Sequence, residues 1–209
     1  MIMKGVLIVE DDPMAKKFLE MIVEGNSNYH VIHSIESAAL AEAYCYSNKI
    51  DLILMDVCTA GNASGLKAAS KIKRTFPNIR IIILTSQPEA GFINRAREGG
   101  IDSFWYKMMD EVEIIDVMNR TMAGENVYPQ IIPVVMIGEA SSLELSEMEI
   151  NILRELTSGD TSKEIAARMN LSARTIENNI QRMLEKTGFK SKTRLAVEAA
   201  NKGLVIRNV

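Results

Sequence analysis

LILMD (Leu52–Asp56) sets four continuously apolar residues ahead of one carboxylate, and VLIVED (Val6–Asp11) sets four ahead of two. A third run, IIIL (Ile81–Leu84), ends at Thr85, and SFWYK (Ser103–Lys107) brings a fourth to a lysine. Strands that alternate apolar and polar residues have one wet face. Runs without alternation are buried on both faces, as in a parallel sheet covered by helices on each side. In such a sheet, ligands bind beyond the carboxyl ends of the strands. The charged residues that end these runs therefore converge: Glu10, Asp11, Asp56 and Lys107. Several carboxylates held together repel and favour a bound cation, and a hard divalent metal answers that need.

Working outward, apolar runs at 6–9, 29–32, 52–55, 79–84 and 101–106 predict five strands. Helical patterns fill 13–24, 37–47, 64–76, 89–98 and 111–123. The alternation predicts a doubly wound five-stranded parallel α/β domain over residues 1–123. Asp12 before Pro13 reads as a helix N-cap rather than a ligand. From 124 to 142 two prolines, Pro129 and Pro133, interrupt any helical period, so this stretch reads as a linker. Its apolar residues predict that part of it packs on one domain.

Residues 143–209 read as a small all-α domain. Ser146 with Glu149 forms a capping box for a first helix with Ile150, Leu153 and Leu156 inward. A second helix follows Thr161 and Ser162, a third follows Ser172 and closes at Gly188, and a fourth starts near Thr193 with Leu195, Ala199 and Ala200 inward. The short turn after the second helix makes this a helix-turn-helix candidate.

The bulk properties fit two modest domains. The 209 residues carry a net charge of −3, divided as 13 Lys/Arg against 17 Asp/Glu before residue 139 and 11 against 10 after it. Within 161–194 the count is 8 basic to 3 acidic, a local excess that suits a polyanion. Two cysteines, Cys45 and Cys58, give neither a disulfide framework nor a zinc site. No apolar run approaches the roughly 18 residues of a membrane span, so a cytoplasmic protein with no membrane partner is expected.

The order VEDDP, LILMD, ILTS, SFWYK resembles the response-regulator receiver domain, a flavodoxin-like fold. The resemblance implies that Glu10 and Asp11 serve Mg²⁺ (or Mn²⁺), that Asp56 is the phosphoacceptor, and that Thr85 and Lys107 complete the catalytic site. It adds the Cys58 backbone carbonyl as a metal ligand, with Thr85 and Phe104 as switch residues. A phosphohistidine on a sensor histidine kinase is the implied donor. The only chemistry implied is the domain's own phosphorylation and dephosphorylation, not an enzyme acting on other substrates.

Three features depart from that pattern. The loop Thr59–Ala63 is one residue longer, Met108 stands where many receivers carry proline, and Cys58 and Gln87 occupy positions that tune hydrolysis.

The second domain resembles the LuxR-type helix-turn-helix that follows receivers in the NarL/FixJ family. The match lies in Leu145–Ser146, Lys163-Glu164-Ile165-Ala166, Leu171–Ser172, Thr175–Ile176 and Lys186 with Gly188. With Ile176, Ile180, Met183 and Leu184 inward, the third helix exposes Arg174, Glu177, Asn178, Gln181, Arg182 and Glu185. Asn178 and Gln181 suit adenine, and Glu177 can accept from cytosine. Lys163, Arg174, Arg182, Lys190, Lys192 and Thr193 suit phosphates. The resemblance implies a transcription regulator that binds double-stranded DNA as a homodimer when phosphorylated. Glu177, where the family usually has lysine, motivates the alternative of a protein-interaction module without an operator. A phosphatase-like hydrolase is disfavoured because Cys58, not a second acid, stands two residues past Asp56.

Overall fold

The computed structural model describes residues 3–86, 91–107, 111–130 and 134–205. Gln87 and Met108 lie outside them, as do residues 131–133 of the expected linker. The chain forms two compact units that divide after Gln130.

The first unit runs β1 (Lys4–Val9), α1 (Pro13–Glu24), β2 (Tyr29–Ile35), α2 (Ala38–Ser47) and β3 (Leu52–Asp56). A two-stranded hairpin follows, β4 (Cys58–Thr59) and β5 (Ala63–Ser64), joined by a 3₁₀ turn at Ala60–Asn62. Then come α3 (Gly65–Thr75), β6 (Arg80–Thr85), α4 (Gly91–Glu98), β7 (Ser103–Tyr106) and α5 (Glu111–Met122). The main sheet has the order β2-β1-β3-β6-β7 and every pairing in it is parallel. Strand order reverses at β1/β3, which is where doubly wound sheets bind ligands.

The unbroken apolar runs are explained by their surroundings. Val6, Ile8, Leu52, Leu54, Ile82 and Leu84 pack against Leu19, Ile22 and Val23 of α1 and Ile114, Val117 and Met118 of α5. The intervening Leu7, Ile53, Met55, Ile81 and Ile83 are buried as well, and alternation sends them to the opposite face. Asp12 caps α1, accepting from Ala15 N at 2.7 Å, with Pro13 at the first helical position.

The segment after α5 does more than connect. Val127 is buried; its carbonyl accepts from Phe104 N at 2.9 Å and its N–H donates to Ser103 Oγ at 3.0 Å. Further on, β8 (Met136–Ile137) and β9 (Ala140–Ser141) form a hairpin whose Ile137 joins the core of the second unit. The sequence predicts packing of the 124–142 stretch on one domain; the structure packs its two ends separately, one on each unit. The reason is apolar content at both ends.

The second unit continues with α6 (Glu147–Leu156), α7 (Ser162–Met169), α8 (Ala173–Thr187) and α9 (Lys192–Asn201). Capping boxes start α6 (Ser146 with Glu149) and α7 (Thr161 with Glu164), Ser172 caps α8, and Gly188 ends it at φ +72°. Ile152, Leu153, Ile165, Ile176, Met183, Leu195 and Ala199 form the core. Ala200, expected inward, is exposed, because α9 buries Leu195, Ala196 and Ala199 instead.

Candidate functional site

Each group of the strand-end cluster is delivered by the register of the sheet. β1 stops at Val9 and turns into Glu10, β3 carries Asp56 as its last residue, β6 ends at Thr85, and β7 hands over to Lys107 one residue past Tyr106. Glu10, Asp11 and Asp56 each bring a carboxylate oxygen within 4.8 Å of the others. Lys107 Nζ lies 2.5 Å from Glu10 Oε2 and 3.0 Å from Asp56 Oδ1. The other oxygen of Glu10 accepts from Asp12 N at 3.1 Å.

The members of this cluster are not equivalent. Glu10 is buried and committed to Lys107 and to backbone. Asp11 is exposed, and no hydrogen bond or ion pair engages it among the described residues. Asp56 is half-buried, and burial pushes its carboxyl up to about 6; Lys107 opposes that rise and Glu10 adds to it. For Lys107, burial works against the charge, but Asp56 and Glu10 outweigh it and hold the ammonium above its ordinary value. The donor set is hard, anionic and oxygen-only, with one carboxylate unengaged, which fits a Mg²⁺-type ion.

Thr85 and Phe104 are both buried. Phe104 points into the core, stacked edge-on against Tyr106 with ring centroids 5.4 Å apart. Cys58 begins the hairpin that stands in place of a simple loop after Asp56. That hairpin is tied to the start of α2: Ala60 N donates to Glu36 O and Ser37 Oγ donates to Ala60 O. Thr59 Oγ1 accepts from Ala38 N and donates to Ala63 O, each at 2.9 Å.

Two contributors were not read from the sequence. Gly65 N donates to Val57 O at 2.8 Å, and a Cβ on Gly65 would stand 1.8 Å from the carbonyl oxygen of Asp56. A glycine opening a helix where alanine has the better propensity is the signal that could have found it. Thr59, which caps α2 from across the loop, carries no such signal.

The second candidate surface is on α8. Arg174, Glu177, Asn178, Gln181, Arg182 and Glu185 are all exposed, as are Lys163 on α7, Lys190, and Lys192 and Thr193 at the start of α9. Gln181 Nε2 donates to Glu185 Oε1 at 2.9 Å, and Arg182 Nη2 donates to Asn179 Oδ1 at 2.7 Å. Asn179 itself is buried and donates to Thr175 O. It therefore aims Arg182 and does not face solvent.

Residues 6–119 match the response regulator receiver domain, and residues 143–199 match the bacterial regulatory proteins of the luxR family. Response regulator protein VraR of Staphylococcus aureus is 28% identical over 205 residues, which span 96% of this chain and 98% of that protein. Among solved structures, the RcsB response regulator of Salmonella typhimurium superposes with a TM-score of 0.59 at 19% identity, over 96% of this chain and 100% of that one. A structure of two RcsB dimers bound to two parallel DNAs gives 0.62 at 19% identity, over 95% and 98%. These two share the fold. With more than half of its length matched by the receiver family and a luxR-type match behind it, the chain belongs to the response regulators: a receiver domain followed by a luxR-type helix-turn-helix domain.

Proposed function

We propose that Asp56 accepts a phosphoryl group from the phosphohistidine of a sensor kinase, and that this controls binding of the helical domain to duplex DNA and so transcription. The observation that carries the reading is the cluster of Glu10, Asp11 and Asp56 within 4.8 Å of one another, bridged by Lys107. Phosphoryl transfer needs an in-line nucleophile and neutralisation of the equatorial oxygens, so positioned charge supplies most of the catalysis. An Asp56 carboxylate oxygen forms the new P–O bond as the P–N bond of the donor breaks. Lys107 neutralises one phosphoryl oxygen and the Thr85 hydroxyl donates to another.

Asp11 and Asp56 would hold Mg²⁺ (or Mn²⁺) directly, Glu10 through water, and the Cys58 carbonyl as a further ligand. When bound, the ion offsets charge on the phosphoryl oxygens. The domain's own phosphorylation and dephosphorylation are its only chemistry in this reading.

The phosphoryl group brings about −1.5 to −2 charges, enough to draw in a hydroxyl. Thr85 moving toward it, with Phe104 held inward, is the proposed readout. In the second unit, α7 crosses the DNA backbone and α8 enters the major groove. Asn178, Gln181 and Glu177 read bases, while Lys163, Arg174, Arg182, Lys190, Lys192 and Thr193 contact phosphates. The phosphorylated form acts as a homodimer on paired half-sites, in the cytoplasm.

Incubation with Mg²⁺ and a small-molecule phosphodonor tests the centre of the proposal. The protein gains one labile acyl phosphate and Asp56→Asn gains none; equal labelling of both, or of neither, refutes it. Glu177 on the exposed face of α8 favours a second reading, in which the helical domain is a protein-interaction module. Duplex binding that steepens as salt falls argues against that reading, because phosphate contacts release counterions.

A further inference from the structure

The end of the receiver sheet opposite Asp56 carries a polar groove of about 620 Å³, lined by Lys73, Arg80, Arg97, Asp102, Asn126 and Tyr128 among others. Its three cations face one carboxylate, inside a domain whose overall balance is acidic. The carboxylate is already satisfied. Asp102 is buried and accepts from Ile81 N at 2.9 Å, Arg80 Nη1 at 2.7 Å and Lys73 Nζ at 2.9 Å. Lys73 is used up too, since its ammonium also donates to Pro77 O and Ile79 O.

The two guanidiniums are not used up. Arg80 spends one N–H on Asp102 and keeps four of the five donors a guanidinium carries. The Arg97 guanidinium lies over the Tyr128 ring at 4.8 Å, and among the described residues it makes no hydrogen bond or ion pair. Tyr128 is itself fixed, its hydroxyl donating to Ile101 O at 2.7 Å, so the ring that seats Arg97 is a rigid platform. Two guanidiniums with donors to spare, both lining an open groove of ligand size, match a phosphate-bearing anion.

We infer that this groove binds a small phosphate-bearing anion through Arg80 and Arg97, at a site separate from the phosphoacceptor cluster. Asn126, Tyr128 and Gln130 belong to the segment that leads out of the receiver. An occupant that bridges Arg80 and Arg97 and meets Asn126 and Gln130 in the same groove would add a tie between that segment and α4 beyond the contacts of Tyr128, so the site gives the receiver a second input besides phosphorylation.

The test is calorimetric titration of the full-length protein with inorganic pyrophosphate in EDTA, with hydrogen exchange followed at residues 126–130. Saturable binding at one site is expected, with slower exchange in that segment. Arg97→Gln weakens binding about tenfold or more, the loss that follows removal of charge-assisted hydrogen bonds to an anion. Arg97→Lys, which keeps charge without the fork, recovers part of it. Arg97 supports no buried group, so Arg97→Gln folds normally, and an unchanged thermal midpoint verifies this. Absence of saturable binding overturns the proposal. So does binding that survives Arg97→Gln, that potassium chloride of equal ionic strength abolishes, or that leaves exchange at 126–130 unchanged.

Discussion

The carbonyl oxygen of Asp56 lies 1.8 Å from the point where a side chain on Gly65 would begin. The first turn of α3 thus rests directly on the backbone of Asp56, the proposed phosphoacceptor, fixed by the Gly65 N–H to Val57 O hydrogen bond. No flexible neighbour can give way, because the obstacle is main chain. Gly65→Ala should therefore destabilise the receiver by about 3 kcal/mol, at the upper end for overpacking. Urea unfolding will show a lower midpoint, and the surviving folded protein will phosphorylate slowly because the end of β3 has shifted. A variant with wild-type midpoint and labelling rate would contradict this.

Thr59 ties the hairpin behind Asp56 to α2 through a single hydroxyl that both accepts and donates. Thr59→Val keeps the shape and removes both bonds, leaving Ala38 N–H and Ala63 C=O without their partner. The expected loss is about 2 kcal/mol, from two groups that lose their hydrogen bonds in a mostly buried place. Limited proteolysis should then cut near Gly61 faster than in the wild type. Resistance equal to the wild type would show that the ties to Glu36 and Ser37 suffice.

That hairpin marks where the sequence stopped being readable. The strands were legible because their unbroken runs have only one good explanation, and the cluster because its charges sit at strand ends. Helix starts at Asp12, Ser146, Thr161 and Ser172 were legible through their capping residues. In contrast, 59–63 reads only as a longer loop. Its form depends on positive φ at Gly61 and Asn62 and on a cap supplied from 21 residues away, and contacts of that range leave no local pattern. Asn179 was hidden differently: the period of Ile176, Ile180 and Met183 places it on the inward stripe, but its polar side chain made it read as part of the wet face, and a linker composition conceals Val127.

Glu149 is buried, and Lys186 Nζ donates to both its oxygens, at 2.8 and 3.0 Å, while also reaching Glu144 O. Burial acts to raise the Glu149 pKa, yet the Lys186 ammonium and the Ser146 N–H outweigh it and leave the value below the ordinary 4.5. A carboxylate with a lowered folded value stabilises fully above about 4.5 and loses that contribution as pH falls through the folded value. Glu149→Gln should cost the helical domain about 2 kcal/mol at pH 7. The gap to wild type should stay level from pH 7 to 5 and close below pH 4.5. A gap that persists into acid would assign Glu149 a packing role in place of a charge role.

The proposed DNA face separates into residues that read bases and residues that only hold phosphates, and the two classes fail differently. Asn178 projects from α8 with its amide exposed, so Asn178→Ala should cost about 1–3 kcal/mol on a preferred site and little on random duplex. Lys163 lies on α7, away from base edges in the proposed docking. Lys163→Ala should therefore weaken every duplex alike and lower the salt slope by about one. Gln181 is braced by Glu185, so Glu185→Ala should relax discrimination with almost no change in that slope. Fluorescence anisotropy on one selected and one scrambled duplex, at several salt concentrations, measures all three. If Asn178→Ala lost affinity equally on both duplexes, α8 would be gripping the backbone, and the assignment of base reading to its exposed amides would be wrong.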